Sequence, residues 1–313
     1  METNKANYTL VLTHDVDHIA LRNYPVFSDV TIDFFKRCLW SNLLRTLNGK
    51  LSLLRYLDSV KWCVAYPLVK LGLFPDPWEK SMTDMLAMEK KYEVRSTLFF
   101  IPFNNTGGRV TAGVPAKGRA VRYAVGDYKN LLRELEANGW EVGVHGIDAH
   151  ISLKNAQEEI AVIKNLLPLK EKIGARMHWL FQSAELWRNL KAAGYYYDAT
   201  FGNNDEVGFP EGKYLPFKKD DIWVIPLNIQ EGTLLGYWNK NAPVDPWAKV
   251  EEILSEAKEK NAVVTVLWHN NSFGVYHYHE DLYEKILQKA KTDGARICRC
   301  VDICEELDAA PRL

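Results

Sequence analysis

No stretch of this 313-residue chain stays apolar long enough to span a bilayer, and none is repeated or low in complexity. Neither sign of charge dominates. The 39 Lys and Arg stand against 40 Asp and Glu, a net charge of −1, which removes any bulk electrostatic case for a nucleic acid or an anionic surface as partner. Cysteine is sparse. Five, an odd number, suit reduced thiols better than a disulfide framework, and the spacing of Cys298, Cys300 and Cys304 is not that of a zinc knuckle. No Ser/Gly-rich linker divides the chain, so one domain over 1–313 is expected. The opening METNKANYTLVL lacks an extended apolar segment followed by a small-residue cleavage site, which predicts a cytoplasmic location.

What the chain does have is a hydrophobic fraction of 47% arranged in alternating short runs. Strands are predicted at Tyr8–Thr13, Arg95–Ile101, Trp140–His145, Ala175–Leu180, Tyr195–Ala199, Ile222–Leu227, Val263–Trp268 and Ala295–Arg299. Helical periodicity falls between most of them, at Asp127–Asn138, Asn155–Leu166, Ser183–Ala193, Pro246–Lys260 and Glu280–Thr292. Strands alternating with helices imply βα units on a mainly parallel sheet, and their number favours a closed or nearly closed α/β barrel over an open sheet. Phe27 to Pro77 departs from the scheme, with helical pattern rich in Leu, Trp and Tyr where a barrel needs one helix. Three roles are open to this helical insertion: a lid, a surface for self-association, or extra core.

In such a barrel the C-terminal strand ends share one mouth, so polar residues there converge from distant parts of the sequence. Three stretches place ionisable groups in that position: THDVDH after the first strand, VHGIDAH after the third, and LWHN after Val263–Val266. They supply Asp15, Asp17, His145, His150 and His269. Two imidazoles and a carboxylate with an open position suit zinc or another divalent transition metal and a coordinated water. A second carboxylate can then act as base and an imidazole across the cleft as acid. Asp15 and Asp17 have a poor structural explanation otherwise, because two carboxylates ending an apolar strand need a compensating ion or arginine.

THDVDH, EVGVHGIDAH, RMHWL, YDAT followed by GFPEG, VIPL and VLWHN resemble, in the same order, the motifs of the polysaccharide deacetylase family, the NodB-homology or carbohydrate esterase family 4 group. The likeness runs from about residue 8 to 270 around the insertion, and is nearest to a branch with THDVD and HGIDA motifs. Each motif is short; the ordered set is specific. The resemblance implies a distorted (β/α)7 TIM-like barrel, one divalent metal, usually zinc, and hydrolysis of an N-acetyl or related acyl group on a sugar. Position by position it makes Asp15 the catalytic base, Asp17 and His145 metal ligands, and His269 the general acid. Arg176 falls where an arginine orients the base, and Trp268 and Trp179 are candidates for the wall around the acyl methyl group.

One spacing departs from the family. Its two metal histidines stand four apart, whereas here Ala149 occupies that position and His150 lies five from His145. Residues five apart share no helix face, but in a loop turned at Gly146 both can reach one ion. His150 is therefore expected as the second histidine ligand, with Asp148 or a water as the substitute. His178 reads equally as a polar residue in the barrel mouth and as a substrate contact. His14 suits a role behind the metal ligands, His18 and the histidines of GVYHYHE suit local hydrogen bonding, and Phe209, with Asp198, Gly208 and Gly212, is expected to shape the cleft wall. The function expected is a metal-dependent amidohydrolase acting on an N-acylated sugar. Two alternatives stand beside it: a hydrolase of a small cyclic amide or formamide, and a non-catalytic carbohydrate-binding protein on a decayed barrel. An aspartyl phosphotransferase would leave the His145 and His269 motifs unexplained.

Overall fold

The computed structural model describes residues 7–109, 116–237 and 242–310. Ten strands form one sheet: β1 (Thr9–Val16), β2 (Thr97–Phe100), β3 (Glu141–Gly146), β4 (Gly174–Met177), β5 (Tyr197–Asp198), β6 (Phe217–Lys219), β7 (Ile222–Val224), β8 (Ile229–Gln230), β9 (Val263–Leu267) and β10 (Arg296–Cys298). Their order is β6-β7-β5-β4-β3-β2-β1-β9-β8, with β10 beside the start of β1. All pairings are parallel except β6 with β7. The sheet curls into an incomplete barrel, as the strand count predicted. Every predicted strand has a counterpart. The run Ile222–Leu227 differs, because it ends at Val224 and the chain re-enters the sheet as the two-residue β8, too short to carry a periodic signal.

Strand β1 lies at the centre and follows the two-residue alternation of side chains. Leu10, Leu12 and Val16 join the main core under the helices, whereas Val11 packs inside the barrel with Phe99, Tyr197 and Ile225. Asp15 continues the inner row and His14 the outer one. The helix Cys300–Ala309 covers the end of the barrel where strands begin: the Cys300 amide donates to Thr97 Oγ1 and the Val301 amide to Glu141 Oε2. Cys298, Cys300 and Cys304 are buried in that packing as free thiols, with burial pushing Cys298 up to about 12. The opposite end, where strands finish, lies away from this helix.

Between β1 and the helix Pro77–Lys91 lie helices at Asp29–Phe35, Asn42–Leu47 and Leu53–Lys70, the first two joined by a π-helical turn, Lys36–Ser41. They form a core of their own, with Phe34, Trp62, Tyr66 and Trp78, packed onto Val275 and Tyr278 of the loop after β9. Asp76 caps the helix Pro77–Lys91 through the Trp78 amide and also accepts from the amides of Leu21 and Arg22, fixing where the chain leaves β1.

His14 explains why that helix cannot shift along β1. Its Nδ1 donates to the Trp268 carbonyl at 2.7 Å and its Nε2 meets Glu89 Oε1 at 2.7 Å, with both side chains fully buried. Glu89 also accepts from Ser96, Trp140 and Tyr283, so both its oxygens are satisfied. Removing this carboxylate would leave four buried polar groups without their acceptor. Glu89→Ala is expected to cost about 3–5 kcal/mol, read as a fall in the urea midpoint; an unchanged midpoint would contradict the role given to this pair.

Candidate functional site

The strand ends bring Asp17, His145 and His178 together, one donor atom from each lying within 4.8 Å of the others. Asp17 Oδ1 stands 3.4 Å from His145 Nε2 and 3.3 Å from His178 Nδ1, and the two ring nitrogens are 3.0 Å apart. The Arg176 carbonyl accepts from His145 Nδ1 at 2.9 Å, which fixes the tautomer and leaves the Nε2 lone pair facing the group. Burial would raise the Asp17 carboxyl, but His178, His145 and His269 around it hold it well below the usual range. Burial pushes the His178 imidazole down, towards its neutral form. Asp17 Oδ1 is buried without a hydrogen bond of acceptable geometry. A carboxylate oxygen and two imidazole lone pairs aimed at one point fit a divalent cation.

His178, and not His150, stands with Asp17 and His145 in this group. After Gly146 the chain turns around Glu159 of the helix Leu153–Leu166, whose carboxylate accepts from the amides of Ile147 at 3.1 Å and Asp148 at 2.5 Å. Burial pushes the Glu159 carboxyl up to about 8. This wrap carries the His150 ring away to Phe181, at 6.0 Å between centroids, while its carbonyl accepts from Ser183. His178 reaches the group because β4 ends at Met177 and the next residues turn sharply. Trp179 and Leu180 both have positive φ, 61° and 53°, a strain tolerated where it serves a site.

Asp15 lies beside this group, its Oδ2 3.5 Å from His145 Nε2. Arg176 Nη1 donates to Asp15 Oδ1 at 3.2 Å and to Thr13 Oγ1 at 2.7 Å, and its Nε donates to the Ala199 carbonyl at 2.9 Å. The guanidinium also sits over the Phe99 ring, so it is clamped as well as charged. On the other side, His269 Nε2 is 3.6 Å from Asp17 Oδ2, and its Nδ1 is 2.6 Å from Glu231 Oε1. Burial works against a charged His269, but Glu231 outweighs it and pushes the ring up to about 10. Glu231 also accepts from the His269 amide and Ser272 Oγ, which sets the rotamer. The sequence reading missed Glu231. It follows the polar and mixed run Asn228-Ile229-Gln230, and β8, which positions it, is too short to be seen.

Asp17, His178, Glu231 and His269 line a cleft of about 880 Å³, whose wall also includes Trp179, Tyr237, Tyr276 and Arg37, while Asp15, His145 and Arg176 are buried beside them. Two expected wall residues are elsewhere. Trp268 is fully buried in the main core against Tyr283, because it follows β9 on the outward side, and Phe209 packs on Tyr214 at 4.7 Å. His18 does reach the cleft, stacked 4.7 Å from Trp78, with its Nδ1 2.6 Å from the Tyr24 hydroxyl. Asp198 lies in the wall's support, accepting from Trp187 and Thr200, and burial pushes it up to about 6.

No protein-family model and no curated protein matches the chain in sequence. Solved structures do match in shape. A Mycobacterium smegmatis protein and one from Pseudomonas aeruginosa PAO1, each carrying a provisional description as a polysaccharide deacetylase, superpose with TM-scores of 0.55 and 0.59 at 12% identity. The first comparison covers 100% of this chain and 95% of the other, the second 99% and 93%. The PuuE allantoinase gives a TM-score of 0.60 at 11% identity, over 99% and 93% of the two chains. The chain has the NodB-homology barrel fold of the polysaccharide deacetylases.

Histidine substitution separates the two ligand sets. His178→Ala is expected to lower bound zinc, measured after dialysis, by at least about tenfold, and His150→Ala to leave it unchanged. The reverse pattern would return His150 to the metal and remove His178.

Proposed function

We propose that the chain is a metal-dependent hydrolase that removes an N-acetyl or related acyl group from an amino sugar or polysaccharide precursor. The observation carrying this reading is that Asp17, His145 and His178 meet between an arginine-clamped carboxylate, Asp15, and a charged imidazole, His269. A divalent ion held by the three ligands would lower the pKa of a water and polarise the acyl carbonyl. Asp15 accepts the proton of the attacking water, and Arg176 keeps its carboxylate aimed at that position. His269, with Nδ1 engaged by Glu231, presents Nε2–H to the leaving nitrogen. The C–N bond breaks, the water oxygen stays on the acyl carbon as a carboxylic acid, and the His269 proton leaves with the amine. Trp179 offers an apolar face beside the ligands for the acyl methyl group.

The cleft volume supports a sugar-sized substrate, since it is near the upper end of the roughly 300–1,000 Å³ common for ligand sites. Likeness to the allantoinase keeps a cyclic amide as the second substrate class to assay.

The test is release of acetate or formate from N-acylated amino sugars, with cyclic amides assayed in parallel. Asp15→Asn and His269→Asn are each expected to lower kcat by about 10²–10⁴-fold with zinc content retained; a zinc-loaded protein inert towards every acylated sugar would defeat the proposal. The pH profile offers an independent check. His269 has a raised pKa, so its acid form persists as pH rises until about 10. Glu231→Gln removes the group that outweighs burial, and the alkaline limb is expected to move down by about 1–2 pH units. An unmoved limb would mean that another group is the acid.

A further inference from the structure

Most of the large apolar side chains that the described residues expose fall between Val26 and Leu73. The helix Leu53–Lys70 shows why this surface is not ordinary. Its buried residues Trp62, Cys63, Tyr66 and Val69 face the core, yet Leu53, Leu57, Val64, Leu68 and Leu71 follow one another at helical spacings of 4, 7, 4 and 3 along the opposite side. That second stripe is exposed, with Val64 at 76% and Leu71 at 70%. A helix apolar on both sides is ordinarily buried on both or set against lipid. Trp40 and Leu47 extend the apolar surface onto the neighbouring helical segments.

The same segment carries local charge that the whole chain hides. Between Val26 and Phe74 there are seven Lys and Arg against three Asp and Glu; Arg37 and Lys61 pair with Asp33 and Asp58, and Arg55 with Glu280 and Asp281, so that Lys36, Arg45, Lys50 and Lys70 carry the excess. A second copy of the chain would meet this face with the same positive excess, whereas an anionic bilayer complements it. No helix of the described residues is long and apolar enough to cross a membrane, so the fit is to lying on a surface.

A second cavity, of about 570 Å³, opens at the foot of these helices and shares Arg37, Tyr237, Tyr276 and His277 with the catalytic cleft. Arg45 and Lys50 line it, and no lining carboxylate occurs among the described residues. Arg45 donates to Asn42 Oδ1 at 3.1 Å and to the His277 carbonyl at 2.7 Å, with no acid in ion-pair range among those residues. Burial pushes the Arg45 guanidinium down although Glu280 acts on it from a distance, and a phosphate in direct contact is its natural complement.

We propose that the helices between Asp29 and Lys70 seat the protein on an anionic lipid surface, where the cleft takes a lipid-linked sugar whose phosphate enters the Arg45–Lys50 cavity. This rests on the hydrolase reading for the reaction, but not for the docking. The lipid tail stays in the bilayer beside the exposed stripe, the phosphate bridges the two cavities, and the sugar amide reaches the groups around Asp17.

Co-sedimentation with phosphatidylcholine vesicles, with and without phosphatidylglycerol, tests the docking without any reaction. The wild type is expected to bind the anionic vesicles, more weakly at high salt. The triple variant Leu57→Glu, Val64→Glu, Leu68→Glu should lose about tenfold or more in partitioning, with its circular dichroism melt unchanged because all three side chains are exposed. Lack of vesicle binding by the wild type, equal binding by the triple variant, or a wild-type dimer that the triple variant abolishes would each overturn the proposal. The last would assign the stripe to a second copy. For the cavity, the preference for an N-acetyl sugar on a polyprenyl phosphate in vesicles over free N-acetylglucosamine should fall about ten- to a hundredfold in Arg45→Gln and in Lys50→Glu. An unchanged preference would overturn the phosphate assignment. If the hydrolase reading itself were wrong, no substrate would release acid while vesicle docking persisted.

Discussion

Two carboxylates at the finishing end of a central buried strand set the terms for much of this molecule. Asp15 ends the inner row of β1 and Asp17 follows just after the strand, close enough that like charges repel where water is scarce. Three other strands of the sheet contribute to the compensation. β3 brings His145, β4 brings Arg176 and then His178, and β9 brings His269 with Glu231 behind it. Removing β1 from the centre of the sheet would scatter these groups, because its edges hold β2, β9 and β10 in register.

Division of labour between the two aspartates follows from what surrounds each. Asp15 is gripped by a guanidinium that is itself fixed by Thr13, Ala199 and the Phe99 ring, so its position is set without a metal. Asp17 faces imidazoles alone, and its buried oxygen points into their midst. On the proposed reading, one carboxylate serves as the base and the other as a metal ligand. His14, adjacent in sequence but on the outer row, serves the frame instead, binding the helix Pro77–Lys91 to the chain just before His269.

Much of this was legible in the sequence because it is written at short range. Alternation along Tyr8–Thr13 and Val263–Trp268 marks the strands, and polar residues at their ends mark the mouth. His150 lies outside the group of Asp17, His145 and His178 for a reason the sequence does not show. Its nearness to His145 counted in its favour, whereas the path of the loop is decided by Glu159, on the following helix, which no local pattern reveals. His178 and Glu231 follow strands of four and two residues, too short for periodicity to locate their ends. Trp268 is adjacent to His269 yet faces outward, as the two-residue alternation requires. The helices after β1 were visible as a departure from the barrel scheme, but their second apolar stripe appears only when the buried side of the helix is known.

The account depends on one ion lying among Asp17, His145 and His178. Anomalous diffraction from zinc-loaded crystals, recorded on both sides of the zinc absorption edge, locates that ion directly. The account predicts one strong peak bonded to the Asp17 carboxylate and both imidazoles, at about 2.0–2.2 Å, with the His150 ring still against Phe181. A peak ligated by His150, or no peak in this cleft, would contradict it.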